Sequence, residues 1–128
     1  MFKRIDHIEV VPSDLEASVD FYTRVLGFKL KERMKIDGYP PLRQVVYIQL
    51  GDTVLEFVDY DGPEPAPPAA PRVGYRALAL EVDSMDETIA DLAKKGVRPT
   101  MGPFDTGGGS LRAEIVDPDG LPIELRQW

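Results

Sequence analysis

One histidine and three strand-borne glutamates are the residues of this chain whose types and spacing point to chemistry. His7 and Glu9 flank Ile8 in Asp6-His7-Ile8-Glu9-Val10, so period-two strand geometry puts the two polar side chains on one face and Ile8 with Val10 on the other. Glu56 lies inside Val54-Leu55-Glu56-Phe57-Val58, and Glu124 inside Pro122-Ile123-Glu124-Leu125. Carboxylates buried without a partner are too costly, so Glu56 and Glu124 require a cation, a hydrogen-bond donor or a proton. A divalent metal held by His7, Glu56 and Glu124 would meet that demand, because imidazole and carboxylate suit Zn, Ni, Co, Mn or Fe. Glu9 would add a further ligand or a general base, and Glu124 is the other candidate for moving a proton. A plainer alternative stands beside this one: a lone strand histidine can be structural, and each glutamate can lie on a solvated sheet face.

The elements that must position these residues occur twice. Asp6-His7-Ile8-Glu9-Val10 runs into Ser13-Asp14-Leu15-Glu16, and Arg76-Ala77-Leu78-Ala79-Leu80 runs into Ser84-Met85-Asp86-Glu87, with Ala77 answering His7. Residues 3–11 alternate as a strand, and Ser13 with Glu16 forms a capping box before a helix over 14–26 that stops at Gly27. Strands are expected over 28–36, 45–50 and 53–59, the last two closing a hairpin about Gly51-Asp52. Five of the twelve prolines fall between Asp61 and Pro71, a composition that favours extended, unpaired backbone. The second half repeats the order, with a strand over 75–83, a helix capped by Ser84 and ending at Gly96, and strands over 97–102, 111–117 and 121–126. Each half therefore reads strand, helix, three strands, an α+β pattern. If each sheet curls with its helix outside, the polar faces converge on one cavity. Two glutamates at equivalent places opposite a histidine make accidental exposure a weaker account than for any one of them alone.

With 128 residues the chain is expected to form one domain, with module one over 1–60, a linker over 61–72 and module two over 73–128. A net charge of -7 repels phosphate backbones and excludes nucleic acid as the expected partner. The chain has no cysteine, which removes disulfides, thiolate metal sites and thiol catalysis. No signal-peptide pattern and no membrane-length apolar run occur, so a cytoplasmic protein is expected.

Three stretches carry a resemblance over nearly the whole chain: His7-Ile8 running into Ser13-Asp14-Leu15-Glu16-Ala17-Ser18, Phe21-Tyr22-Thr23-Arg24-Val25-Leu26-Gly27-Phe28, and Asp117-Pro118-Asp119-Gly120-Leu121-Pro122-Ile123-Glu124-Leu125. Together they resemble the vicinal oxygen chelate superfamily, which includes glyoxalase I, methylmalonyl-CoA epimerase, extradiol dioxygenases and bleomycin-resistance proteins. The resemblance implies two tandem βαβββ modules forming a curved, cup-shaped mixed sheet, commonly in a homodimer. It also implies a metal ligand from the first and last strand of each module, at His7, Glu56, Ala77 and Glu124. Alanine cannot bind metal. One implied activity is a metal-dependent isomerase, epimerase or lyase acting on a small oxygenated substrate. Glutathione-dependent glyoxalases carry an arginine and an asparagine where this chain has Val11 and Tyr60, so the glutathione grip is missing. The alternative is a metal-free pocket of the bleomycin-resistance type for a small molecule or antibiotic. Room beside Ala77 and Ala79, contacts from Tyr47, Tyr60, Tyr75 and Phe104, and anion recognition by Arg112 and Arg126 are the substrate-binding features expected in either case. The Gly107-Gly108-Gly109 run is read as a lid or as a flexible hairpin.

Overall fold

The alternating stretches become eight strands and the two capped stripes become two helices in the computed structural model, which describes residues 1–128. In chain order these are β1 (Ile8–Val10), α1 (Leu15–Asp20), β2 (Lys29–Lys35), β3 (Leu42–Leu50), β4 (Thr53–Tyr60), β5 (Leu78–Glu81), α2 (Met85–Lys94), β6 (Met101–Asp105), β7 (Leu111–Val116) and β8 (Pro122–Gln127). The strands form two four-stranded sheets of order β1-β4-β3-β2 and β5-β8-β7-β6. In each, the first strand runs parallel to the last and the other neighbours are antiparallel. The fold is α+β, built as two tandem βαβββ modules. The chain divides into unit 1, Met1–Pro65, and unit 2, Ala66–Trp128, with one sheet in each. The proline-rich 61–72 stretch carries no helix or strand, and no helix is long and apolar enough to cross a membrane.

Unit 1 buries one face of its central hairpin, Val46 and Ile48 on β3 with Leu55 and Phe57 on β4, together with Leu15, Val19, Tyr22, Val25 and Phe28. Tyr22 joins helix to sheet, its ring meeting Phe57 edge-on at 5.2 Å and Phe28 at 5.8 Å. Each such side chain taken fully from water contributes about 1.5–3 kcal/mol. Unit 2 has the corresponding arrangement, with Ala113, Ile115, Ile123 and Leu125 buried along with Met85 and Leu92 of α2.

The residue-level boundaries differ from expectation in three instructive places. The cap of α1 is Asp14 rather than Ser13: Asp14 is the extended residue directly before the helix, and its Oδ1 accepts from the Ala17 N–H at 3.1 Å. Glu16, expected to close a capping box, instead forms a bidentate pair with Arg33 of β2 at 2.7 and 3.0 Å. The expected single helix over 14–26 widens after Asp20 into a π-helical turn, Phe21–Val25, in which the Leu26 N–H reaches the Phe21 carbonyl. Val25 is buried there and Leu26 is only half-buried, and Gly27 at φ 88° ends the turn.

β6 also lies later than the expected 97–102 strand. Val97 is tied back to the end of α2 through the Leu92 carbonyl, and pairing begins at Met101. The register then slips between Met101 and Phe104. Gly102 at φ 74° sits in this bulge, where a Cβ would lie 2.6 Å from the Arg112 carbonyl oxygen. Only glycine fits that approach. β1 and β5 are shorter than their alternating sequences, because β4 and β8 pair only with Ile8–Val10 and Leu78–Glu81.

Candidate functional site

In unit 1 the pairing of three strands gathers the polar residues. β1 sets Glu9 beside Glu56 of β4, and β3 sets Tyr47 on the other side of Glu56. His7, just ahead of β1, brings Nε2 to 2.9 Å from Glu56 Oε2, while its Nδ1 lies 2.9 Å from Asp6 Oδ2. Glu56 is buried at 8% exposure, so its charge needs these partners. The Tyr47 ring meets His7 edge-on at 6.2 Å. Burial first, then the nearby Glu56 and the other carboxylates, push the Tyr47 phenol up.

The hydrogen bond to Asp6 raises the His7 imidazole above its ordinary value, and the charges of Glu56, Asp6 and Glu9 add to this against the opposing effect of burial. In turn, His7 first and Arg4 next hold the Asp6 carboxyl below the usual carboxylate range. His7, Glu9 and Glu56 each offer a ligand atom, and these atoms lie within 4.8 Å of one another. One imidazole and two carboxylates, one of them buried, form a donor set that fits Zn, Mn, Fe, Co or Ni. Protonation of His7 meets the same electrostatic demand by the bland route.

Unit 2 presents the matching sheet face with different chemistry. The Tyr47–Glu56 pair of unit 1 corresponds to Glu114–Glu124, the Val45–Val58 pair to Arg112–Arg126, and Glu9 beside Glu56 to Ala79 beside Glu124. The second copy has thus lost both donors of its first strand, with Ala77 at the place of His7 and Ala79 at that of Glu9. It has gained arginines instead. Buried Glu114 accepts from Arg76 at 2.8 and 3.3 Å and from Arg112 at 2.6 Å. Arg76 leads in holding the Glu114 carboxyl below its ordinary range, and the Arg76 guanidinium is pushed up in return. Glu124 lies 3.3 Å from Arg112 Nε, 3.5 Å from Arg126 and 3.9 Å from Arg76.

Of the residues expected from sequence, His7, Glu9, Glu56 and Tyr47 come together in unit 1. Glu124 and Arg126 come together in unit 2, where half-exposed Phe104 is the register partner of Arg112 and Ala77 is exposed just ahead of β5. Tyr60 is half-buried at the end of β4, and Tyr75 is fully exposed. The Gly107–Gly109 run is a turn closed by hydrogen bonds between Thr106 and Ser110. Sequence reasoning passed over Asp6, Arg76 and Glu114. Adjacency to His7 and Ala77 was the available signal for the first two, and for Glu114 it was the alternation with Arg112.

The Glyoxalase/Bleomycin resistance protein/Dioxygenase superfamily profile matches residues 4–125. Lactoylglutathione lyase of Escherichia coli O157:H7 is 33% identical, over 95% of this chain and 90% of that protein. Among solved structures, a glyoxalase family protein from Enterococcus faecalis is 30% identical with a TM-score of 0.83, covering 98% of both chains. TnmS3, an antibiotic-binding protein from Streptomyces sp. CB03234, is 30% identical with a TM-score of 0.72, covering 98% of this chain and 96% of its own.

Proposed function

The chain belongs to the Glyoxalase/Bleomycin resistance protein/Dioxygenase superfamily, and from that premise we propose that it is a metal-dependent isomerase, epimerase or lyase acting on a small oxygenated substrate. The observation that carries this reading is the convergence of His7, Glu9 and Glu56 on one another within 4.8 Å. These three residues would hold the metal. Bound there, a divalent cation polarises a substrate oxygen and so acidifies the neighbouring carbon.

The chain's own groups have separate tasks. Asp6 accepts from Nδ1–H of the neutral ring and fixes the tautomer that leaves the Nε2 lone pair free, the usual work of a carboxylate behind a ligating histidine. Tyr47, the register partner of Glu56 on β3, flanks that carboxylate on the side away from Glu9. Glu9, exposed and without an ion pair of its own, is the base proposed to accept the substrate proton when it is not ligating. Glu124, expected from sequence as a ligand or proton carrier, already has Arg112 and Arg126 as counter-charges, so the proposal assigns the metal to the unit 1 residues. Val11 and Tyr60, where glutathione-dependent members carry arginine and asparagine, direct the reading away from a glutathione thioester.

Metal analysis of protein purified without chelator or nickel resin tests this. Stoichiometric metal is expected, lost in His7→Ala and strongly reduced in Glu56→Gln. Failure to take up Mn, Fe, Co, Ni or Zn after direct addition would overturn the reading. The similarity to TnmS3 and the two alanines of unit 2 favour a second reading, a metal-free binding protein for a small molecule or antibiotic. Saturable binding of a cationic glycopeptide by protein that takes up no metal would decide for it.

A further inference from the structure

Within unit 2 the sheet face carries three guanidiniums, and of its carboxylates only Glu114 and Glu124 lie at ion-pairing distance. The pairing is uneven. Glu114 absorbs Arg76 through two bonds and Arg112 through a third, whereas Arg126 has one contact, a 3.5 Å approach to Glu124 at the outer limit of a hydrogen bond. Glu81 shares the face and is in register with Arg126, yet forms no ion pair with it. The Nε of Arg126 is buried without a hydrogen-bond partner, whereas that of Arg112 lies 3.3 Å from Glu124 Oε2. β7 and β8 also set Arg112 directly opposite Arg126, and like charges in that position destabilise a sheet. Unit 1 manages the same two positions with Val45 and Val58.

We propose that Arg126, backed by Arg112, is a recognition site for the carboxylate of a small monoanion. Arg126 makes only one long side-chain hydrogen bond, and a planar carboxylate matches its two-pronged guanidinium edge. A dianion such as phosphate would meet stronger repulsion from Glu81, Glu114 and Glu124. The Arg126 side chain is 21% exposed, so it is reachable, and its guanidinium carbon lies 4.2 Å from the ring centroid of Trp128, the only tryptophan. That stacking holds the fork in place and couples its occupancy to fluorescence. The inference rests on unit 2 alone and stands independently of the metal reading in unit 1.

The full chain, freed of metal on a chelating resin, is titrated at constant ionic strength with acetate, pyruvate and benzoate, following Trp128 emission and binding heat. Saturable binding of at least one carboxylate is expected, with its methyl ester inert and inorganic phosphate weaker. Arg126→Met should weaken binding at least tenfold by calorimetry, which does not depend on the tryptophan signal. Arg126→Lys keeps the charge, guards against misfolding, and should weaken it several-fold. Absence of saturable binding by all three carboxylates, equal binding of the ester, tighter binding of phosphate, or unchanged affinity in Arg126→Met would each overturn the assignment. Metal content is read separately, so the two proposals fail separately.

Discussion

His7 stands between Asp6 and Glu56 with a carboxylate at each ring nitrogen, and this gives its protonation two consequences of opposite sign. Its pKa in the fold is raised above 6.5, chiefly by the bond to Asp6. The imidazolium therefore stabilises the metal-free fold fully below about pH 6.5, and that contribution disappears as pH rises through the higher folded value. Metal capture runs the other way, because it needs the Nε2 lone pair and weakens as pH falls through the same value. His7 is the only histidine, so an NMR titration of its ring in metal-free protein reads the group without overlap. A midpoint above 6.5 is expected, moving down in Asp6→Asn. The movement should be modest because Asp6 is exposed and water screens it. A midpoint at or below 6.5 would contradict the pairing.

The duplicated elements differ in how they are held, and α1 shows it best. Asp14 satisfies a first-turn N–H that no helical carbonyl can reach, and Ser84 does the same for α2 through the Glu87 N–H. Asp14→Ala is expected to lower stability by about 1 kcal/mol in urea denaturation, the usual worth of such a cap. An unchanged midpoint would return the cap to Ser13. Both residue types cap helices well, so the local sequence is degenerate, and the choice falls to the residue lying extended next to buried Leu15. The helices, the strand order within each half and the repeat were legible because periodicity and caps are local signals. The ends of β1 and β5 were not, since alternation continues past the stretch where a neighbouring strand is available to pair. The expected strand over 97–102 missed the bulge at Gly102 for a similar reason. Whether a glycine ends a strand or lets it bulge depends on the close approach of Arg112 from β7, which is fixed by register.

At the scale of the whole chain, the same duplication makes two kinds of polar face from one framework. The repeat drew attention to His7, Glu56 and Glu124 in the sequence, because the two glutamates hold matched strand positions and Ala77 answers His7, while Glu9 stood out only as the polar neighbour on the His7 face. The arginines around Glu124 were hidden until register set Arg112 against Arg126 and Glu114 against Glu124. A chain of net charge -7 thus carries one face on which three arginines cluster about its carboxylates. Clustering acids around His7 raises the cost of that region until a cation arrives, so metal binding should be visible in global stability. A ligand that binds only the folded state stabilises it by about 2.7 kcal/mol at 100 times its Kd, which for a chain of this length moves the melting temperature by several degrees. Added Mn, Ni or Zn is expected to raise the melting temperature in a concentration-dependent way at pH 8. Chelation should reverse the shift, His7→Ala should abolish it, and it should shrink at pH 5.5, where protons compete for Nε2. An unchanged melting temperature at pH 8 across the metals would mean that His7 alone satisfies Glu56, and the unit 1 face would then be a structural ion pair.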